Sequence, residues 1–273
     1  MKSCGLFIFV ATSVCFIGDH NYSDPQNQLT KLLQSTMPIL EGSSPYVSLD
    51  SLYVQVLTNA YPNISLGLAG QLKIILGSII FLQNALSPHD LEGLLNVNKD
   101  HNNLSPTSVR GTLVHLHSVV IVPEDDEHVI CMLHPSFLDF FTNRDQCWNT
   151  RLVVDTGAQH ALLAHACLCA MNFELKRNPC QIESPMIHNS EVADLATHIK
   201  EHIPAHVQYA CRHWVSHLTN AMLSGSLLEQ LTELCTVNLL HLVEACSLLG
   251  DLRNLLDIFR CRSAYTYSTW YCC

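Results

Sequence analysis

The chain has 273 residues, of which 48% are hydrophobic and 14% charged, and a formal charge of −10 from 24 acidic and 14 basic side chains. This composition supplies a core for one large domain or two modest ones and excludes a disordered chain. The acidic balance, with no run of basic residues, leaves little from which to build a face for nucleic acid or other phosphate-rich partners.

At the N-terminus Lys2 precedes an apolar run from Gly5 to Ile17. The run has the length of a signal-peptide core and is too short to span a bilayer, yet Gly18-Asp19-His20 offers no small-x-small cleavage site. Sequons at Asn21, Asn63 and Asn103 favour secretion. The other reading is a buried helix or strand from the end of a preceding domain. Asp24-Pro25 opens a helix carrying Leu29, Leu32 and Leu33, and Gly42-Ser43-Ser44-Pro45 breaks the chain. Ser48 can cap a helix whose apolar stripe is Leu49, Leu52, Tyr53, Val56, Leu57 and Ala60, ended by Pro62. A strongly apolar helix is predicted from Ala69 to Leu82 and a short one from Asp90 to Leu95. A fourth is expected over 105–117, opened by Ser105-Pro106 and carrying Val109, Leu113 and Leu116.

The period then changes. Val119 to Val122 is β-branched, Pro123 to Glu127 is a charged turn, and Val129 to Leu133 is apolar, the pattern of a hairpin with a polar tip. A helix from Ser136 to Thr142 leaves it directly. Helices followed by a hairpin give a winged-helix order. From Gly157 on, helices are predicted over Ala158–Leu175, Val192–Ile203, His206–Leu223, Leu227–Cys246 and Gly250–Phe259, an α-helical layer of hairpins without a strict repeat. The last stretch, 263–273, fits no element.

No phosphate-binding GxxxxGK[ST] loop, GxGxxG or GxSxG motif is present, so no enzymatic chemistry is expected. The thirteen cysteines form no CxxC pair. Cys211, Cys235 and Cys246 lie in apolar helical stretches, where free buried thiols are expected rather than disulfides or metal ligands. Two histidine pairs, His198/His202 and His213/His217, have helical i, i+4 spacing, but no third ligand is identifiable, so they are read as helix-face residues and no metal is assigned. His115 and His117 end the fourth helix, near its negative pole. His134 stands where the second strand of the hairpin meets a helix start. It is read either as an anion contact or as a structural histidine.

Leu49-Asp-Ser-Leu-Tyr53, Ile75-Leu-Gly-Ser-Ile79, Leu116-His-Ser-Val119, Leu133-His-Pro-Ser-Phe137-Leu-Asp-Phe140, Leu175-Lys-Arg-Asn178 and Gln208-Tyr-Ala-Cys-Arg-His-Trp214 together resemble fungal NACHT proteins, NOD-like receptor relatives of the STAND NTPase class. Gly5-Leu-Phe-Ile8, Ala11-Thr12 and Phe16-Ile17 resemble the end of their NTPase module, and the resemblance covers roughly residues 3 to 260. It implies a cytosolic nucleotide-controlled switch, with an NTPase core that binds ADP at rest, then a winged-helix domain, a helical layer and a repeat sensor. In related switches a His in a Met-His-Asp motif touches the ADP phosphate. Leu133-His134-Pro135 sits in the matching place without the Met or the Asp, so the implication passes to His134 alone, and then within an intact parent.

The expectation is therefore a mainly α chain. A helical remnant of the NTPase module occupies 1–44, a winged-helix domain with a small β-hairpin 45–145, a helical domain 155–262 and an irregular tail 263–273. Its function is that of a non-catalytic regulatory and interaction fragment of a NACHT-type switch, without a cofactor of its own. It is cytoplasmic, with protein partners that include intact NACHT proteins and neither nucleic acid nor membrane among them. A secreted cysteine-containing protein and a winged-helix nucleic-acid binder with Arg110 on its recognition helix are the alternatives.

Overall fold

The computed structural model describes residues 7–19, 24–35, 45–97, 108–143, 147, 152–183 and 187–257. The tail 263–273, the sequons at Asn21 and Asn103, and Ser105-Pro106 lie outside them. The chain is mainly helical, and the described strands form one two-stranded sheet. It divides into two compact units. The first runs to His89 and resumes over 107–156, and the second takes 90–106 and everything from Gly157.

In the first unit α1 (Phe7–Ile17) packs on α2 (Pro25–Ser35) and on α3 (Pro45–Ala60). Phe9 and Phe16 of α1 are buried, while Phe7, Val10 and Val14 are exposed. Helix α3 begins three residues before Ser48. Proline is at home in a first helical turn, where its missing N–H has no partner to lose. Its stripe of Leu49, Leu52, Tyr53, Val56 and Leu57 is buried, as the spacing predicts. Helix α4 (Leu66–Phe81) also starts earlier than its apolar run suggests, because the Ser65 hydroxyl accepts the Leu68 amide and caps it. Leu72, Ile75 and Leu76 of α4 are fully buried.

The fourth expected helix is shorter than 105–117. Helix α6 (Val109–Leu113) has five residues, capped by the Ser108 hydroxyl accepting from the Gly111 amide. His115 and His117 therefore lie beyond it, and the His115 ring stands edge-on to Tyr61. Strands β1 (Val120–Ile121) and β2 (Cys131–Met132) pair antiparallel, Val120 opposite Met132 and Ile121 opposite Cys131. Asp125 closes the tip between them by accepting the amides of Glu127 and His128. Helix α7 (Ser136–Thr142) then packs on α3. Tyr53 meets Phe137 and Phe140 edge-on at centroid distances of 4.9 and 5.6 Å, and Phe141 stands edge-on to both phenylalanines. Offset and edge-on rings of this kind add to the burial of the rings themselves.

The second unit contains α5 (Pro88–Asn96) from Asp90 on, then α8 (Thr156–Glu174), a 3-10 turn at Asn189–Glu191, α9 (Leu195–His202) and α10 (Ala205–Asn220). Gly93 of α5 lies against the His206 ring so closely that a Cβ there would meet Nδ1 at 2.7 Å. The opposite ring nitrogen, Nε2, is held 2.7 Å from the Glu174 carboxylate.

The predicted helix over Leu227–Cys246 is continuous but not uniform. Helix α11 (Gly225–Glu233) runs through a π turn at Leu234–Asn238 into α12 (Leu239–Leu248). Asn172 of α8 donates its side-chain amide to the Gln230 carbonyl, and Asn238 donates to the Asn172 side-chain oxygen, so a polar side chain is wedged at the widened turn. The extra residue shifts the phase of the buried face. Leu234, Asn238, Leu242 and Cys246 point inward, and Cys235, expected to be buried, is exposed. By length and composition alone Gly225–Leu248 could cross a bilayer, and about a third of it is buried within the unit. Gly250, at φ +74, turns the chain out of α12 toward a last helical stretch over 252–257.

Candidate functional site

His134 follows β2 by two residues and precedes α7. Its Nδ1 accepts the Ser136 backbone amide at 3.1 Å, so that nitrogen carries no proton. The Ser136 hydroxyl, 2.8 Å from the same nitrogen, must then be the donor to it. This leaves the Ser136 oxygen as acceptor for the Tyr53 hydroxyl, also at 2.8 Å. Burial pushes the Tyr53 hydroxyl up, which keeps it protonated and a donor. The relay Tyr53–Ser136–His134 therefore fixes one tautomer, with Nε2–H as the imidazole's remaining donor.

The helix start itself has little to offer an anion. The Ser136 amide is spent on His134 Nδ1, the Phe137 amide on the His134 carbonyl and the Leu138 amide on the Pro135 carbonyl. A phosphate at this corner would meet His134 Nε2 rather than an open set of amides. Sequence spacing singled out His134 but neither of its supports. Ser136, two residues away, carries no site signal beyond opening a helix, and Tyr53, 83 residues from Ser136, none beyond its apolar stripe; the motifs quoted for the resemblance contain both without linking them.

In the second unit the histidine spacing proved a partial guide. His217 is fully buried, and its Nε2 lies 2.7 Å from the Tyr209 hydroxyl. Its Nδ1 lies 3.0 Å from Nδ1 of His160 on α8, a residue that no sequence pattern had marked. Either direction of proton donation along Tyr209–His217–His160 satisfies both contacts with both rings neutral. Burial, then the nearby His160 and His213, push His217 down to about 4, and burial lowers His160 as well. His213 tilts against the Tyr209 ring, and His217 is a core residue rather than the half-exposed helix-face residue that the spacing suggests. His198 and His202 stack on α9, with His202 Nδ1 against the His198 carbonyl. Among the described residues no group of three or more His, Cys, Asp or Glu side chains is arranged to hold a metal ion.

Arg110 is engaged at the hairpin tip. Its guanidinium pairs with Asp126 at 2.7 Å and donates to the Pro123 and Asp125 carbonyls. The buried thiols are inert as nucleophiles where burial dominates. It raises Cys167, and it pushes Cys169 up to about 12 with help from Glu233. Comparison of the chain with protein-family models, with curated proteins and with solved structures gives no match.

Proposed function

We propose that the chain is a non-catalytic regulatory and interaction module of a NACHT-type nucleotide-switch protein, with a winged-helix arrangement over 45–145 and a helical layer over 155–262. The observation that carries this reading is the Tyr53–Ser136–His134 relay. It presets a histidine as an Nε2–H donor at the end of the hairpin, where the resembling switches use a histidine against ADP phosphate. A neutral donor with a fixed tautomer suits a contact that must be present in one nucleotide state and absent in the other. The module is cytoplasmic and its partners are proteins, intact NACHT proteins among them. Nucleic acid is disfavoured, because Arg110 is paired with Asp126 beside the acidic tip.

The sequence lacks the phosphate loop and its lysine, so nucleotide affinity must come from an NTPase module linked to it. Fusing the chain in frame behind a NACHT NTPase module should give a protein that retains ADP through purification. His134→Ala should release that ADP and raise basal signalling. Equal retention by both fusions contradicts the proposal.

A second reading, a secreted protein, is favoured by the apolar α1, whose Phe7 is 84% and Val14 64% exposed. Recovery of a tagged chain from culture medium with its N-terminus beyond residue 17 would establish it. A cytosolic chain that keeps Phe7 to Ile17 supports the module.

A further inference from the structure

The outer face of the α11–α12 segment is apolar. Leu228, Val237 and Leu240 are exposed, Leu240 by 78%, and no Asp, Glu, Lys or Arg stands between Glu233 and Glu244. Thr232 and Thr236, also exposed, donate their hydroxyls to the Leu228 and Thr232 carbonyls, which leaves their methyl groups to the surface. We propose that this face pairs with the same face of a second copy of the chain, antiparallel and about a two-fold axis.

A two-fold interface sets a patch against itself, so the patch must be self-complementary. Leu228, Thr232, Thr236 and Leu240 recur every four residues and read the same from either end. Antiparallel pairing centred at the level of Leu234 lays Leu228 against the partner's Leu240 and Thr232 against the partner's Thr236. The π turn keeps the four in line. Residues four apart on an α-helix drift about 40° around it, and the wider turn at Leu234–Asn238 takes that drift back. The flank beside the stripe sets the direction. Glu229 and Glu233 occupy its first half, and Val237 and His241 its second. Antiparallel pairing sets Glu229 against the partner's His241 and Glu233 against the partner's Val237. Parallel pairing would set acid against acid.

A bilayer is a poorer cover for this face. Glu229 and Glu233 lie within the segment, and Asn172 of α8 holds it at Gln230 and Asn238. Its 24 residues span about 36 Å at 1.5 Å per residue. One helix face of that length makes an interface at the small end of specific ones, so the dimer is expected to be micromolar. None of this depends on His134 or on the nucleotide reading.

Light scattering of the full chain at rising concentration, under reducing conditions, tests this. The mass should climb from 30.5 kDa toward twice that value over roughly 1–100 μM and no further. Thr232→Lys and Thr236→Glu are exposed on a single chain, so each variant should keep the helical circular dichroism of the parent. In the pair each buries a charge without a counter-charge, so each should weaken the dimer by about tenfold or more. In the double variant Thr232→Lys/Thr236→Glu, antiparallel pairing brings each lysine to the partner's glutamate, and the dimer should return. A chain that stays single, or grows past two copies, contradicts the proposal. So does a dimer that either single variant leaves intact, or one that the double variant fails to restore. A single chain that binds phosphatidylcholine vesicles would assign the face to a bilayer and overturn the proposal as well.

Discussion

In the first unit the central contacts are made by Leu49, Leu52, Leu72 and Ile75 and by the rings of Tyr53, Phe137, Phe140 and Phe141, with the Ser136–His134 pair at the edge of the cluster. In the second, Leu163, Val207 and Trp214 share the core with Tyr209, His160 and His217 and with the thiols of Cys167, Cys211 and Cys246. Both are helical and both are well buried, but they answer to different variables. A core of hydrocarbon and rings responds to volume and inserted charge and little to pH. A core that keeps imidazoles neutral loses stability when protons become abundant, because charging a buried ring costs solvation.

The largest expected effect lies in the first unit. Leu52→Asp puts a carboxylate into the α3 stripe, where Leu52 is 1% exposed, and should cost several kcal/mol, on the order of a small domain's whole stability. Hydrogen exchange should then show protection lost across α3, α4 and α7 and kept across α8, α10 and α12. Uniform loss would mean that the two units unfold together, and unchanged protection would refute the α3 assignment.

Next comes acid. His217 is pushed from its ordinary 6.5 to about 4 in the fold, so its neutral form is favoured there. The stability this contributes is complete above pH 6.5, falls as the pH drops from 6.5 to 4, and changes no further below. The shift corresponds to about 3 kcal/mol. His160, lowered by burial, adds in the same direction. Amides of α8 and α10 should lose protection over that window before those of α3 and α7. Simultaneous loss in both units would remove the contrast.

A smaller effect is expected at Gly93. Alanine would place its Cβ against the His206 ring, which Glu174 holds from the other side, and such overpacking costs roughly 1–3 kcal/mol. The denaturant midpoint of the second unit should fall while that of the first is unchanged. Tyr53→Phe removes the first donor of the relay at a cost of about 1 kcal/mol. The nitrogen resonances of His134 should report the Nε2–H tautomer in this variant and in Ser136→Ala alike, because the Ser136 backbone amide still donates to Nδ1 in both. Least is expected of Arg110→Ala at the half-exposed hairpin tip, a change within about 1 kcal/mol by thermal melt.

What the sequence disclosed was what depends on local periodicity. The α3 stripe, the β-branched and apolar runs on either side of Pro123 to Glu127, and the helix from Ser136 to Thr142 all have their cause within a few residues. The starts of α4 and α6 were missed because serine caps, Ser65 and Ser108, rather than apolar residues, decide where those helices begin. The π turn was not legible, because its cause includes Asn172, 58 residues before Gln230. Cys235 was misplaced because its stretch is apolar all round, and the apolar Val237 and Leu240 beside it are exposed as well. At the sites, chain position singles out His134, whereas the i, i+4 spacing of His213 and His217 reads both as half-exposed helix-face residues and misses the burial of His217. Helical spacing can report a shared face. The contacts that hold His217 reach across to His160, 57 residues away, and along α10 to Tyr209 at i−8.

The central claim is that this chain presets His134, the proposed phosphate contact, without itself constituting a nucleotide site. A single charge-assisted contact contributes roughly 1.5–3 kcal/mol, while micromolar affinity requires about 8 kcal/mol. Calorimetric titration of the full chain with ADP and with ATP, each with magnesium, measures the difference directly. The account predicts no binding as tight as about a micromolar for either nucleotide. A dissociation constant at or below that level, abolished by His134→Ala or not, would contradict it by showing a complete nucleotide site within these 273 residues.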